Sequence, residues 1–497
     1  MSLPAEPLSP RDRAVILILL VATFVVILNE TIMNVALPRL MADLKITAGT
    51  AQWLSTAFML TMAVVIPVTG FLLQRLSTRT VFLTAMTLFC VGTGLAAISP
   101  SFVPLLLARI VQASGTAIML PLLITTVLTL VPERGRGAVM GNISIVISVA
   151  PAIGPTISGL ILQTFSWRAM FMFVLPIALG MLAYGARMLR NVGTPRRLSL
   201  DAISVPLSAL GFGGLVYALS RFGEGGLGNL GVSVPLLIGT VALTAFLWRQ
   251  TRLSRTGEPL LDLRAFLFPV YTLGVGLMVI AMMALFGGLI LLPLYLQNLR
   301  GLSTLQTGLL LLPGGLIMGL CAPAVGKLYD RVGPRPLVVP GSLLMTAVLF
   351  GLSRIDTGTP VWTLLTLHVI LSAGLALLFT PVFTSALSPL PPQLYSHGSA
   401  ILSTLQQVAG AAGVALLVTL MAGRAAQLNA QGSAPLAAQI GGLQLAFTVS
   451  GVIAVLAVVL ALFMKRMPEA QHGNQDGRTI HDSRESRAPH RSGVERG

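Results

Sequence analysis

The chain reads as an all-α polytopic membrane protein, and three observations say so. Of its 497 residues 55% are hydrophobic and only 10% charged, with a mean hydropathy of +0.87. Apolar runs of about 20 residues, long enough to cross ~30 Å of hydrocarbon, recur from one end to the other. A stretch of the first half also returns, in recognisable form, 256 residues later.

Fourteen segments fit these runs: 14–38, 51–73, 80–98, 103–131, 138–162, 168–188, 202–220, 231–249, 268–297, 303–326, 336–353, 361–386, 399–422 and 442–464. With the N-terminus inside, 24 of the 32 Lys and Arg fall on the cytoplasmic side, 7 on the outer side, and Arg109 within a segment. Positive loops stay inside, so both termini are expected in the cytoplasm. The formal charge of +16 is then a topology signal and not a mark of nucleic-acid binding. The first run follows Arg11 and Arg13 and ends in VALP, not in a small-residue cleavage site, so a retained helix is expected and not a signal peptide. Cys90 and Cys321 lie in apolar runs of different halves and read as packing residues, not a disulfide or metal site. No GxxxxGK[ST] loop is present and no polar stretch is long enough for a catalytic domain. Neither an enzyme nor a cofactor is expected. Pro468–Gly497 is polar, lacks apolar periodicity and is expected to be disordered.

The repeat pairs GFLLQRLSTRTVFL (Gly70–Leu83) with GKLYDRVGPRPLVV (Gly326–Val339). Each copy starts on a glycine expected to end a helix, followed by a short loop with arginines at the sixth and tenth positions, Arg75 and Arg79 in one, Arg331 and Arg335 in the other. Glycine lets helices approach closely, and the arginines can bind helix C-terminal carbonyls or an acid such as Asp330. These residues are expected to form gating loops. Duplicated halves are a transporter architecture, and the spacing gives six segments, then two, then six. The expected division is 1–193, a first six-helix bundle; 194–265, two inserted helices with linkers; 266–466, a second six-helix bundle; and 467–497, a cytoplasmic tail.

Glu30, in LNETIMNVALP (Leu28–Pro38), is the one acid deep inside an apolar segment. A carboxylate there costs several kcal/mol unless it is paired, protonated or wet, which marks a functional site, although a polar residue satisfied by a neighbouring helix reads the same. Arg109 lies about seven residues, or ~10 Å, in from the outer end of its segment, and Glu30 some 24 Å up from the inner end of its own, so the two fall at similar depth. A proton-coupling pair and a static buried ion pair both fit. In the fifth segment Pro151, Gly154, Pro155 and Gly159 predict a bend that serves as a hinge or only as packing. Asn34, Gln112, Asn142, Gln297, Gln306, Gln406 and Gln407 interrupt apolar segments and are candidates to line a cavity or to bond neighbouring helices. His368 reads as a satisfied histidine more readily than as a proton carrier. Met278, Met282, Met283, Phe286, Phe379 and Phe383 suit an adaptable apolar cavity and equally ordinary packing.

Four motifs, in order, resemble those of the major facilitator superfamily. Gly326–Arg335 resembles its loop signature. LLLARIVQASGTA (Leu105–Ala117) resembles its helix-4 motif, and APAIGPTISG (Ala150–Gly159) its drug-antiporter helix-5 motif. Leu28–Pro38 resembles the helix-1 signature of the fourteen-helix drug:proton antiporters. LPLYLQNLRG (Leu292–Gly301) and SWRAMF (Ser166–Phe171) are similar to the bacterial lincomycin/multidrug-resistance type. The resemblance spans residues 10–466. Gln74 and Asn29 stand where the family usually has Asp, with Glu30 one place on. The resemblance implies a major facilitator fold and proton-coupled multidrug efflux by alternating access, with a drug, protons and the bilayer as partners and a monomer as the working unit. Export of an endogenous metabolite, lipid or siderophore, and a non-transporting sensor on the same fold, are the alternatives.

Overall fold

The computed structural model describes residues 9–192, 195, 199–224, 226–256 and 259–464; the side chain of Asn34 and the segment 467–497 lie outside the described residues. Among the described residues there are fourteen α-helices: α1 (Pro10–Leu44), α2 (Ala48–Arg75), α3 (Thr78–Ala97), α4 (Phe102–Leu130), α5 (Arg136–Thr164), α6 (Arg168–Met188), α7 (Ser204–Ser220), α8 (Leu230–Thr256), α9 (Pro269–Leu294), α10 (Thr304–Val332), α11 (Arg335–Leu352), α12 (Val361–Leu387), α13 (Tyr395–Ala430) and α14 (Pro435–Leu462). Thirteen are long and apolar enough to cross a membrane; α7, at 17 residues, is the shorter one.

Helices are the form the chain must take in hydrocarbon, because only there does each backbone N–H and C=O find its partner locally. Their ends are set by ordinary signals. Ser9, Thr47 and Ser77 each accept a backbone N–H from the first turn that follows. Ser303 and Gln306 form a reciprocal capping box at α10. Gln306 is therefore a cap, not cavity lining, because its side-chain Oε1 accepts the open Ser303 N–H at the helix start. Prolines open α1, α9 and α14, where a missing N–H costs nothing.

The helices pack as two bundles. In the first, α1 meets α4, α5 and α6, while α3 lies against α4 and α6. In the second, α9 meets α12, α13 and α14, and α11 lies against α12 and α14. Helix α7 bridges α2 and α13 from outside, and α8 packs on α7. Two seams join the bundles, α5 with α10 and α2 with α13. The partner of α5 across the bundles is α10, while α8 is held at the periphery by α7.

The α5–α10 seam is closed backbone to backbone. A Cβ on Gly137 would lie 2.4 Å from Asp330 Oδ1 and 2.5 Å from the Gly326 carbonyl, and one on Gly326 would lie 2.0 Å from the Gly137 carbonyl. Nothing larger than glycine fits that crossing. Further along, Gly308 approaches Pro155 only at an ordinary 3.8 Å.

Candidate functional site

Arg109, near the start of α4, is almost wholly buried, at 1% exposure, although nothing ionised bonds it. Its Nη1 donates to Gln112 Oε1 at 2.6 Å, one turn on, and reaches Asn29 Oδ1 on α1 at 3.5 Å. The guanidinium lies over the Phe58 ring of α2, 4.1 Å from its centroid, and its Nε finds no acceptor. Gln112 in turn donates to Thr93 Oγ1 of α3 at 2.7 Å. Four helices thus hold one cation with neutral dipoles, an arrangement that leaves its charge largely uncompensated. Glu30 is half-buried and within electrostatic reach of Arg109, yet the described ion pairs do not include it. The α1 residue turned onto the guanidinium is Asn29, and Glu30 stands about 100° round the helix from it.

The hinge candidates sit beside this acid. Thr31 Oγ1 bonds the Leu28 carbonyl at 2.9 Å and reaches the Ala150 carbonyl of α5 at 3.4 Å. Gly154 packs against that same threonine, since a Cβ there would meet Thr31 Oγ1 at 2.3 Å. Pro151 and Pro155 both lie inside α5 and remove two of its N–H donors. Gly159 faces Leu305 at 3.8 Å.

The polar candidates divide. Gln112 is fully buried and bonded at both ends. Asn142 is exposed and Gln297 half-buried, in a π-helical turn, Tyr295–Leu299. Gln407 reaches from α13 to Met62 Sδ of α2 at 3.4 Å. Gln406 is buried with its Nε2 unpartnered, and so is Ser403 Oγ one turn before it. His368 is satisfied by the Leu311 carbonyl at 3.1 Å.

The repeated loops form one end of the molecule, and the hydrogen bonds joining the two bundles gather there. Asp330 accepts the backbone N–H of Gly137 at 2.9 Å and of Ala138 at 3.0 Å, the open start of α5. The sequence paired this acid with loop arginines; the helix terminus, with its unmet N–H groups and positive dipole end, is the partner found. Gln74, at the matching place in the first copy, donates to the Gln393 carbonyl and to Ser396 Oγ of α13 at 3.1 and 2.9 Å. Arg79 donates to the Ala186 carbonyl, closing the end of α6, and Arg75 stacks on Phe71 at 5.7 Å. Gly70 lies against His397 and Ala400 of α13. Arg335 opens α11 and is exposed, as is Arg331.

Sequence reasoning missed three cross-bundle contacts. Arg136 donates to the Leu128 and Ser388 carbonyls and to Tyr395 Oη at 2.9 Å, yet in the sequence it is one more inside-facing cation. Thr125 meets Ser399 at 2.9 Å, and Thr380 donates to Ser144 at 2.7 Å. Small hydroxyls inside apolar helices were the available signal.

Buried charge, duplicated bundles and loop-end latches together define a transporter of the major facilitator type. The chain belongs to the Major Facilitator Superfamily, whose family model matches residues 19–414. It is 42% identical over 461 residues to the lincomycin resistance protein LmrB of Listeria monocytogenes, covering 92% of this chain and 97% of that one. It is 29% identical to a multidrug resistance protein B homolog of Mycobacterium tuberculosis, over 79% of this chain and 73% of that one. The tetracenomycin C resistance and export protein of Streptomyces glaucescens is 28% identical, with 93% of each chain covered. Among solved structures, the human organic anion transporter MFSD10 superposes with a TM-score of 0.65 at 16% identity, over 91% of this chain and all of that one. That likeness shows the shared fold.

Proposed function

We propose that this transporter is a proton-coupled efflux pump for amphipathic drugs, working as a monomer by alternating access, with both termini in the cytoplasm. Residues 1–193 and 266–466 act as the two moving bundles. One observation carries the reading: Glu30 stands half-buried beside an Arg109 that has only neutral partners. Protonated, Glu30 crosses between states without an unpaired charge; ionised, it is held by Arg109, and a cationic substrate can take over that role. Gln406, with a free buried amide, and Gln407, Gln297 and Asn142 supply polar contacts to the drug, while Gln112 sets the arginine. The printed roles of the lincomycin, multidrug and tetracenomycin resistance relatives support drugs as the substrate class.

The test is export against a gradient from liposomes with an imposed ΔpH, using lincomycin and a cationic dye as probes. Glu30→Gln mimics the protonated acid and should keep drug binding while losing pH-driven export by at least ~10-fold. Full pH-driven export by that variant would remove Glu30 as the proton site.

A further inference from the structure

The two inserted helices have no part in the proton and drug reading, yet the segment that leaves them is buried. Between α8 and α9, Leu260, Leu261 and Asp262 are only 1–2% exposed, and Ala265 is fully covered. A connecting loop at the membrane surface is normally wet, so this burial needs a reason. The segment lies in the α2–α13 seam: a Cβ on Gly70 of α2 would stand 3.4 Å from Leu261 Cδ2, 3.4 Å from Ala400 Cβ and 3.2 Å from His397 Nδ1 of α13. His397 lies at the same crossing, with its buried Nδ1 unpartnered. Asp262 is folded back on itself by Arg264, whose Nε reaches both carboxylate oxygens at 2.9 and 3.0 Å.

What holds this segment comes from the insert. Gln250, on α8 and fully buried, accepts the Leu261 N–H at 3.1 Å and donates to Ser204 Oγ at 2.6 Å. Ser204 opens α7 and donates to Asp201, which takes a two-pronged bond from Arg249 of α8 at 2.7 and 2.8 Å. Helices α7 and α8 are thereby tied together at the loop end, and the tie reaches through one glutamine to the segment in the seam. Buried amides bonded at both ends are costly to leave unmet, so the geometry is firmly set.

We propose that Gln250 is a positioning residue of the transport cycle: through it, the inserted helix pair holds residues 260–262 as a strap across the α2–α13 seam and keeps the loop end shut. Opening that end requires the strap to leave Gly70 and His397. The insert is thus coupled to the transport cycle, although the main packing partner of α8 among the described residues is α7.

The test reads gate position and needs neither drug nor proton gradient, so it stands or fails apart from the efflux reading. The full chain, with Cys90 and Cys321 replaced by serine, carries a reporter at Ser399→Cys in the seam end or at Thr156→Cys on α5 towards the other end. Labelling rates with a membrane-impermeant maleimide are measured in vesicles of both orientations. Losing both bonds in Gln250→Leu should speed Ser399→Cys labelling by about tenfold and slow labelling at Thr156→Cys. Asp201→Asn should move both rates in the same directions by less. Unchanged rates would overturn the proposal. So would faster labelling at both reporters with a lowered melting temperature, which would make the tie a matter of folding alone.

Discussion

At the scale of single residues, the telling detail is which neighbour faces Arg109. Asn29 offers its Oδ1 at 3.5 Å, while Glu30 stands aside. An acid at position 29 would sit directly on the guanidinium, whereas one at position 30 reaches it only as a partner among others. The roles are therefore exchangeable within limits: Asn29→Asp introduced into Glu30→Gln should recover pH-driven export to within about tenfold of the unmodified protein, because a carboxylate again shares the buried cation. Proton uptake by the double variant, measured with a dye in proteoliposomes, checks this; no recovery would tie coupling to the position of Glu30 and not to its charge. Much of this was legible in the sequence. A lone acid and a lone cation inside apolar runs stand out by cost alone. The side each turns to the other was not, since a 100° step between residues 29 and 30 is invisible until α1 is seated against α4.

At the scale of helices, the two copies of the repeated loop do the same job by different means. Asp330 caps the start of α5 with a charge on two N–H groups, and Gln74 meets the start of α13 with a neutral amide. Charge-assisted bonds to a helix N-terminus are the stronger kind. Asp330→Asn should therefore slow transport several-fold more than Gln74→Ala at matched expression, a comparison made by initial efflux rates. Equal losses would mean that the charge at α5 contributes nothing special. The glycine and arginine positions of these loops could be read from the repeat. The partners could not, because they lie 192 to 322 residues away in the chain and depend on how the bundles meet. The insert shows the same division: its two helices were legible as apolar runs, but nothing in the sequence tells that Asp201, Arg249 and Gln250 join one hydrogen-bonded group at the loop end. Asp201 is held down to about 2 from its ordinary 3.8, chiefly by the hydrogen bond from Arg249, with burial opposing. A depressed carboxylate contributes above its ordinary value and fails as pH falls towards the lowered one, so this tie is at full strength throughout pH 5–8.

At the scale of the whole molecule, the two seams are unlike in kind. One, α5 with α10, is made of backbone pressed on backbone at Gly137 and Gly326, with Asp330 capping the start of α5 beside it. The other, α2 with α13, is made of side-chain hydrogen bonds and a threaded segment, all of which can let go. Two bundles joined in this way should part more readily at α2–α13 than at α5–α10 when the loop end opens. Spin labels across α2 and α13 at the loop end should report two well-separated distances as the protein cycles, while labels across α5 and α10 should report one narrow distance throughout. Equal spreads at both seams would contradict it. A seam that parts in this way opens beside α7, which lies against both α2 and α13, so whatever travels along α7 meets the threshold first.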